Sequence, residues 1–282
     1  MFDFRYHALS LVAVFLALAI GILLGATIGN SLVSDADKGL RSSLHTDVVN
    51  ARNAASQAQG QLSQRDKIIS SALPMLVQGE LAGQRIAIVA TGSLPSSIES
   101  EVRQTVETAG GSVDSVSTFD VPNQLDAIEK AAGVRGKDPE VVQGFARRVA
   151  RSITNGAGVA IRMHKALPDT MRGDFRGASA VVFYRTPPPD QETDQDKALR
   201  EAFENGLADG VGQAGLQTVG VEEQSTNPDQ VGWYKDNKMS TVDSVDLPGG
   251  QIALVYALTG EKGNYGNRGG ATPLPKLPVG SG

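Results

Sequence analysis

The stretch Arg85–Gly92, RIAIVATG, decides the fold. Its apolar run from Ile86 to Ala90 is unbroken, as in a strand covered on both faces, where alternation with polar residues is lost. The next segment reads as a helix. Ser96-Ser97-Ile98-Glu99, after Pro95, has the spacing of a capping box; Ile98, Val102 and Val106 fall on one face, and Gly110-Gly111 supplies the stop. Ser112–Thr118 alternates as the next strand. Strand, helix and strand in this order predict a parallel, right-handed crossover and therefore an α/β domain.

The pattern continues toward the C-terminus. Leu125–Met171 is mainly helical, with Val141, Phe145, Val149 and Ile153 four apart and Gly156 closing the run. Ala178–Tyr184 reads as a strand, the proline-rich Thr186–Asp190 as a rigid loop, and Thr193-x-x-Asp196 as the start of a helix carrying Ala198, Leu199, Ala202 and Phe203. Thr218–Val221 returns as a strand, and Gln251–Leu258, apolar after its first residue, as a central one. The Gly- and Pro-rich segment 263–282 reads as a disordered tail.

Toward the N-terminus the composition changes. Residues 31–78 are polar, alanine-rich and free of proline until Pro74, as a long exposed helix requires. Leu44, Val48, Ala51, Ala55, Ala58, Leu62, Arg65, Ile69 and Ala72 follow alternating steps of four and three, the seam of a short coiled coil or of one helix lying on the globular domain. Ahead of it, Ala8–Ile28 holds no charged residue over 21 positions, enough at about 1.5 Å per residue to span a bilayer core of roughly 30 Å. Ala13, Ala17, Gly21, Gly25 and Gly29 recur every four residues along it, a small-residue stripe of the kind that lets two helices approach closely in lipid. The apolar run exceeds a signal-peptide core, so we expect an uncleaved anchor. Arg5 before the span and Lys38 and Arg41 after it leave the charge count undecided, and seven residues make a poor translocated segment, so we expect the N-terminus in the cytoplasm and the α/β domain outside it.

The domain organisation expected is therefore an anchor over 1–30, a coiled-coil helix over 31–78, a mostly parallel, Rossmann-like α/β domain over 79–262 and a tail over 263–282. Stripe and seam together predict a parallel homodimer through Gly21, Gly25, Gly29 and Leu62. A net charge of −5 gives no basic footprint for nucleic acid, and the absence of cysteine excludes disulfides, thiolate metal sites and cysteine catalysis.

Catalytic chemistry finds no support in the sequence. The loop Thr91–Ser96 has one glycine in place of a dinucleotide fingerprint and no Walker lysine, and its serines are explained as helix caps. There is no nucleophile elbow, and His7, His45 and His164 lie in separate segments. We expect no enzyme and no cofactor. For a soft metal, the donors that cluster are Met163, His164 and Met171, read either as metal contacts or as core methionines beside a surface histidine. Asp243 and Asp246 suit a hard cation, or a helix cap at Ser240-x-x-Asp243 with a turn after it. Trp233-Tyr234 lies in a polar loop, as a partner patch or as a lid over the sheet edge.

Two stretches carry a resemblance. FRYHALSLVAVFLALAIG, Phe4–Gly21, and STVDSVD, Ser240–Asp246, running into Gly250–Val255 and then Gly263-Asn264-Tyr265-Gly266, resemble the actinobacterial copper-transport protein B family. The resemblance implies a single-pass cell-envelope protein of copper transport and homeostasis, with copper as the transported ion. Members also resemble coiled-coil partners in cell separation, so it equally implies a membrane-anchored scaffold or regulator of envelope remodelling with a cell-envelope protein partner.

Overall fold

The computed structural model describes residues 4–156 and 158–276; the side chains of residues 4, 5 and 27–39 lie outside that description. The chain divides into two compact units, Met1–Gln64 and Arg65–Gly282. The described residues of the first form the leading part of one helix, α1 (Phe4–Val77). Within it Tyr6–Ala26 is long and apolar enough to cross a membrane. Its large side chains are exposed along the whole span, including Leu9, Phe15 and Leu23. Of the seam, Leu44, Val48 and Leu62 are also exposed, being 55%, 48% and 51% accessible.

The second unit opens with the last turns of α1, where Leu73 and Val77 enter the core and the Tyr256 hydroxyl donates to the Leu76 carbonyl at 2.6 Å. Beyond α1 the chain forms β1 (Arg85–Thr91), α2 (Ser96–Thr108), β2 (Ser112–Phe119), α3 (Leu125–Ala132), α4 (Pro139–Asn155), α5 (Gly158–Ala166) and β3 (Met171–Gly173). Then come β4 (Ala180–Arg185), α6 (Asp194–Gln213), β5 (Gln217–Val221), α7 (Val231–Asp236), β6 (Ser240–Val242), α8 (Pro248–Thr259) and β7 (Asn264–Tyr265). The seven strands form one sheet in the order β3-β2-β1-β4-β5-β6-β7, parallel throughout except at β2–β3.

Successive residues of β1 serve opposite faces, as the two-residue period of a strand demands. Ile86, Ile88 and Ala90 join Ile98, Val102 and Val106 of α2 and the whole apolar body of α8 on one side. Ala87 and Val89 join Phe145, Val149 and Ile153 of α4 and Phe203 and Leu207 of α6 on the other. α4 and α6 cross closely because α6 carries Gly206 and Gly210: a Cβ at either would stand 2.4 Å from a carbonyl oxygen of α4.

Several expectations are corrected. Gln251–Leu258 lies in α8, not in a strand. With Ile252–Leu258 all buried, no polar residue marks a period, and the run is equally compatible with both. Pro248 in the first turn and Gly260 after the last set it as a helix, and the strand position beside β6 belongs to β7. That pairing also overturns the disordered tail as far as Lys276: Tyr265 is buried, and the peptide N–H groups of Asn267 and Arg268 donate to the Asp243 carboxylate at 2.8 and 2.9 Å. Residues 277–282 of that expected tail lie outside the described residues. The capping box before α2 does not form, since the cap is Pro95 without a side-chain bond, Ser97 donates to Glu223, and Glu99 is drawn off to Arg103 and Arg172. Ser240 caps nothing, lying in β6; Trp233-Tyr234 belongs to α7; and Val142, not the 40% exposed Val141, faces the core.

Candidate functional site

β1 ends at Thr91 and the chain turns at Gly92, whose φ of +77° favours glycine and whose hydrogen faces Thr186 where a Cβ would collide at 2.6 Å. Gly92 N–H donates to the Phe119 carbonyl at 2.8 Å, Thr186 N–H to the Thr91 carbonyl at 2.9 Å, and the Thr186 hydroxyl to the Ser93 carbonyl at 3.0 Å. The loops after β1, β2 and β4 are thereby tied together. From β1 the chain crosses to β2 through α2 on one face, and from β4 to β5 through α6 on the other. The connections part between β1 and β4, and outside the carboxyl ends of strands at such a point open α/β sheets bind ligands.

A cleft of about 420 Å³ lies there, walled by Phe119, Phe203 and Pro187–Pro189 and reached by Thr91, Asp120 and Arg200. Behind it runs a chain of buried polar groups. Arg185, the last residue of β4, donates from Nε and Nη2 to Glu204 Oε2 of α6 at 2.9 and 2.8 Å. Arg200, one turn earlier in α6, reaches the same oxygen at 3.1 Å and grips Glu192 through Nε and Nη2 at 3.0 and 2.5 Å. Arg185 also donates through Nη1 to Gln230 and lies 5.0 Å from the centre of the Trp233 ring. Burial pushes the Glu204 carboxyl up, against the pull of both guanidiniums, whereas hydrogen bonding to Arg200 holds Glu192 down.

Gln230 extends the chain to β5. Its N–H donates to Glu222 Oε2 at 2.6 Å, and Glu222 Oε1 stands 2.6 Å from Arg268 Nε. Arg268 donates in turn to the carbonyls of Thr226 and Gln224. Glu222 is fully buried, and burial raises its carboxyl to about 7 against the Gln230 N–H and Arg268, with Asp229 and Asp243 adding to the rise. The segment after β7 is thus fastened to the carboxyl ends of β5 and β6 by one ion pair and two N–H bonds to Asp243.

The residues singled out from sequence fall elsewhere. Met163 and Met171 are fully buried in one apolar cluster, and His164 holds its Nδ1 2.6 Å from the Met171 carbonyl oxygen with its ring beside Phe175. Among the described residues no group of three or more His, Asp or Glu side chains converges as for a metal ion. Asp243 and Asp246 are used on backbone N–H groups, the latter on Gln224 at 2.9 Å. Tyr234 is fully buried, its hydroxyl accepting from Arg185 N–H and donating to the Val221 carbonyl. Gly21 and Gly25 face open space, nothing among the described residues beyond the helix's own neighbouring backbone lying within 4 Å of where a Cβ would be, and Leu62 is exposed; the surroundings of Gly29 lie outside the described residues.

Sequence reasoning missed Arg185, Glu204, Arg200 and Glu192. A signal was there: Arg185 closes the otherwise apolar AVVFYR, and Arg200 and Glu204 flank Phe203 on the helix face that carries Leu199 and Leu207. Charged residues on a buried face require one another.

The family model described as "Copper transport outer membrane protein, MctB" matches residues 1–152 and 165–275, which takes in the apolar helix and nearly all of the α/β domain. No curated protein matches the chain.

Proposed function

We propose, from the premise that this chain belongs to the MctB family of copper transport outer membrane proteins and so serves copper transport and homeostasis, that it acts as a membrane-anchored dimer with its α/β domain outside the cytoplasm. The observation that carries the reading is the extent of the family match, which takes in both the apolar helix and the domain. A single helix encloses no pore, so the anchor holds and associates; passage of copper requires further subunits. The strand order, with connections parting between β1 and β4, supports a Rossmann-like relationship for the domain.

Association is supported by two unoccupied surfaces on α1, the open face at Gly21 and Gly25 and the exposed seam at Leu44, Val48 and Leu62, which reads as a coiled coil. Tethering in a membrane raises the local concentration that an alanine-rich seam otherwise needs. The same exposed seam favours a second reading, a scaffold that binds an envelope protein during cell-wall remodelling and cell separation.

Deleting the gene and measuring cellular copper and copper tolerance, with restoration by the full chain, tests the copper role. Unchanged copper content and tolerance would remove transport and leave the scaffold. Mass spectrometry of the full chain with Cu(I) and Cu(II) tests whether the chain itself holds copper, and no stoichiometric ion would count against direct transport. A reporter attached after Lys276, beyond the last packed strand, reads topology: activity of a cytoplasm-only reporter there refutes the outside placement.

A further inference from the structure

A charge imbalance marks the cleft between the loops after β1, β2 and β4. Four carboxylates line it, those of Asp120, Glu192, Asp196 and Glu204, with Arg200. Glu192 and Glu204 are neutralised by Arg200 and Arg185. Asp120 and Asp196 are not: among the described residues Asp120 accepts from the Asn123 amide at 3.2 and 3.0 Å, and Asp196 from the Thr193 hydroxyl at 2.8 Å, both uncharged donors. The cleft therefore keeps two negative charges facing a wall of Phe119, Phe203 and prolines.

An independent feature lies at its floor. Thr91 is 2% exposed and lines the cleft, and among the described residues its buried hydroxyl oxygen finds no hydrogen-bond partner. It succeeds Ala87 and Val89 at the two-residue period of β1, so its side chain stands on the face that carries Phe119 and Phe203. A buried hydroxyl with no partner is costly, and a ligand group in the cleft would satisfy it.

We infer that this cleft binds a small organic cation, an amine or guanidinium on an apolar stem, with Asp120 and Asp196 taking the charge and Thr91 accepting an N–H at the floor. A multivalent metal ion is the poorer match, since among the described residues no three such groups converge and one wall is apolar. An anion would face the two unpaired carboxylates. The cleft, about 420 Å³, has room for an amine of cadaverine or agmatine size and for larger ones.

The test is calorimetric titration of the full chain in detergent micelles with cadaverine, agmatine and, as the anionic control, adipate. The expected result is saturable binding of at least one amine and none of adipate, with affinity falling about tenfold in Thr91→Val and in Asp120→Asn. Thermal unfolding of each variant separates loss of the site from loss of the fold, and Asp196→Asn, at the start of α6, supplies a further variant. No saturable amine binding, equal binding of adipate, or affinities unchanged in folded Thr91→Val and Asp120→Asn would overturn the site. None of these outcomes touches the copper phenotype of a deletion strain, so the two readings fail separately.

Discussion

Arg185 and Glu204 meet through two N–H groups on one carboxylate oxygen, at 2.9 and 2.8 Å, with side chains 9% and 4% exposed. The carboxyl end of the central strand β4 is fixed to α6 by this pair, and Arg200 completes it. Removing the carboxylate leaves two guanidiniums facing one another in a poorly solvated site. Glu204→Ala should therefore cost about 3–5 kcal/mol in chemical denaturation of the full chain. Replacing both Arg185 and Glu204 by apolar residues should cost less than the single change, because no unpaired charge of that pair then remains; equal costs would deny the coupling.

Glu222 sets a pH dependence. Its carboxyl is raised to about 7 in the folded chain, above an unfolded value of roughly 4.3, so folding favours the protonated form. The contribution is fully present below the unfolded value and is lost as pH rises through about 7. Melting temperature should fall over that window relative to Glu222→Gln, and parallel profiles for the two proteins would contradict the assignment.

Gly206 and Gly210 admit no side chain. A Cβ would stand 2.4 Å from the carbonyl oxygens of Gln143 and Arg147, and 2.8 and 2.6 Å from the methyl groups of Ala146 and Ala150. Backbone on both sides leaves no flexible atom to yield, so Gly210→Ala should destabilise by about 1–3 kcal/mol, read by denaturant midpoint, despite the better helix propensity of alanine.

Gly21 and Gly25 behave oppositely. With nothing within 4 Å beyond the helix's own neighbouring backbone, isoleucine at both fits the helix, so on the proposed dimer its effect falls on association. We expect the double variant to lose dimer in membranes while the α/β domain keeps its melting temperature. Single cysteines at Ala55 or Leu62, both exposed, should crosslink symmetrically; no crosslink at either would remove the parallel pair.

The sequence by itself determined the elements that a period or a terminator marks. The apolar run of β1, the glycine stop after α4, the Thr193 cap of α6 and the long apolar helix near the N-terminus each arise from local chemistry, and each lies where the residues place it. The family signature was legible for the same reason, being contiguous. Tertiary structure alone decided what depends on partners distant in the chain. Gln251–Leu258 became a helix because burial on every side erases the period and β7 occupies the neighbouring strand position. The segment after Gly263 is ordered because Asp243 and Glu222 anchor Asn267 and Arg268, contacts spanning more than 20 residues that composition does not record. Likewise Thr91, Asp120 and Arg200 come to one cleft only when parallel pairing aligns the carboxyl ends of β1, β2 and β4. Hydrophobic period is a property of neighbours along the chain, whereas a site in a parallel sheet is made by register between strands that the sequence keeps far apart.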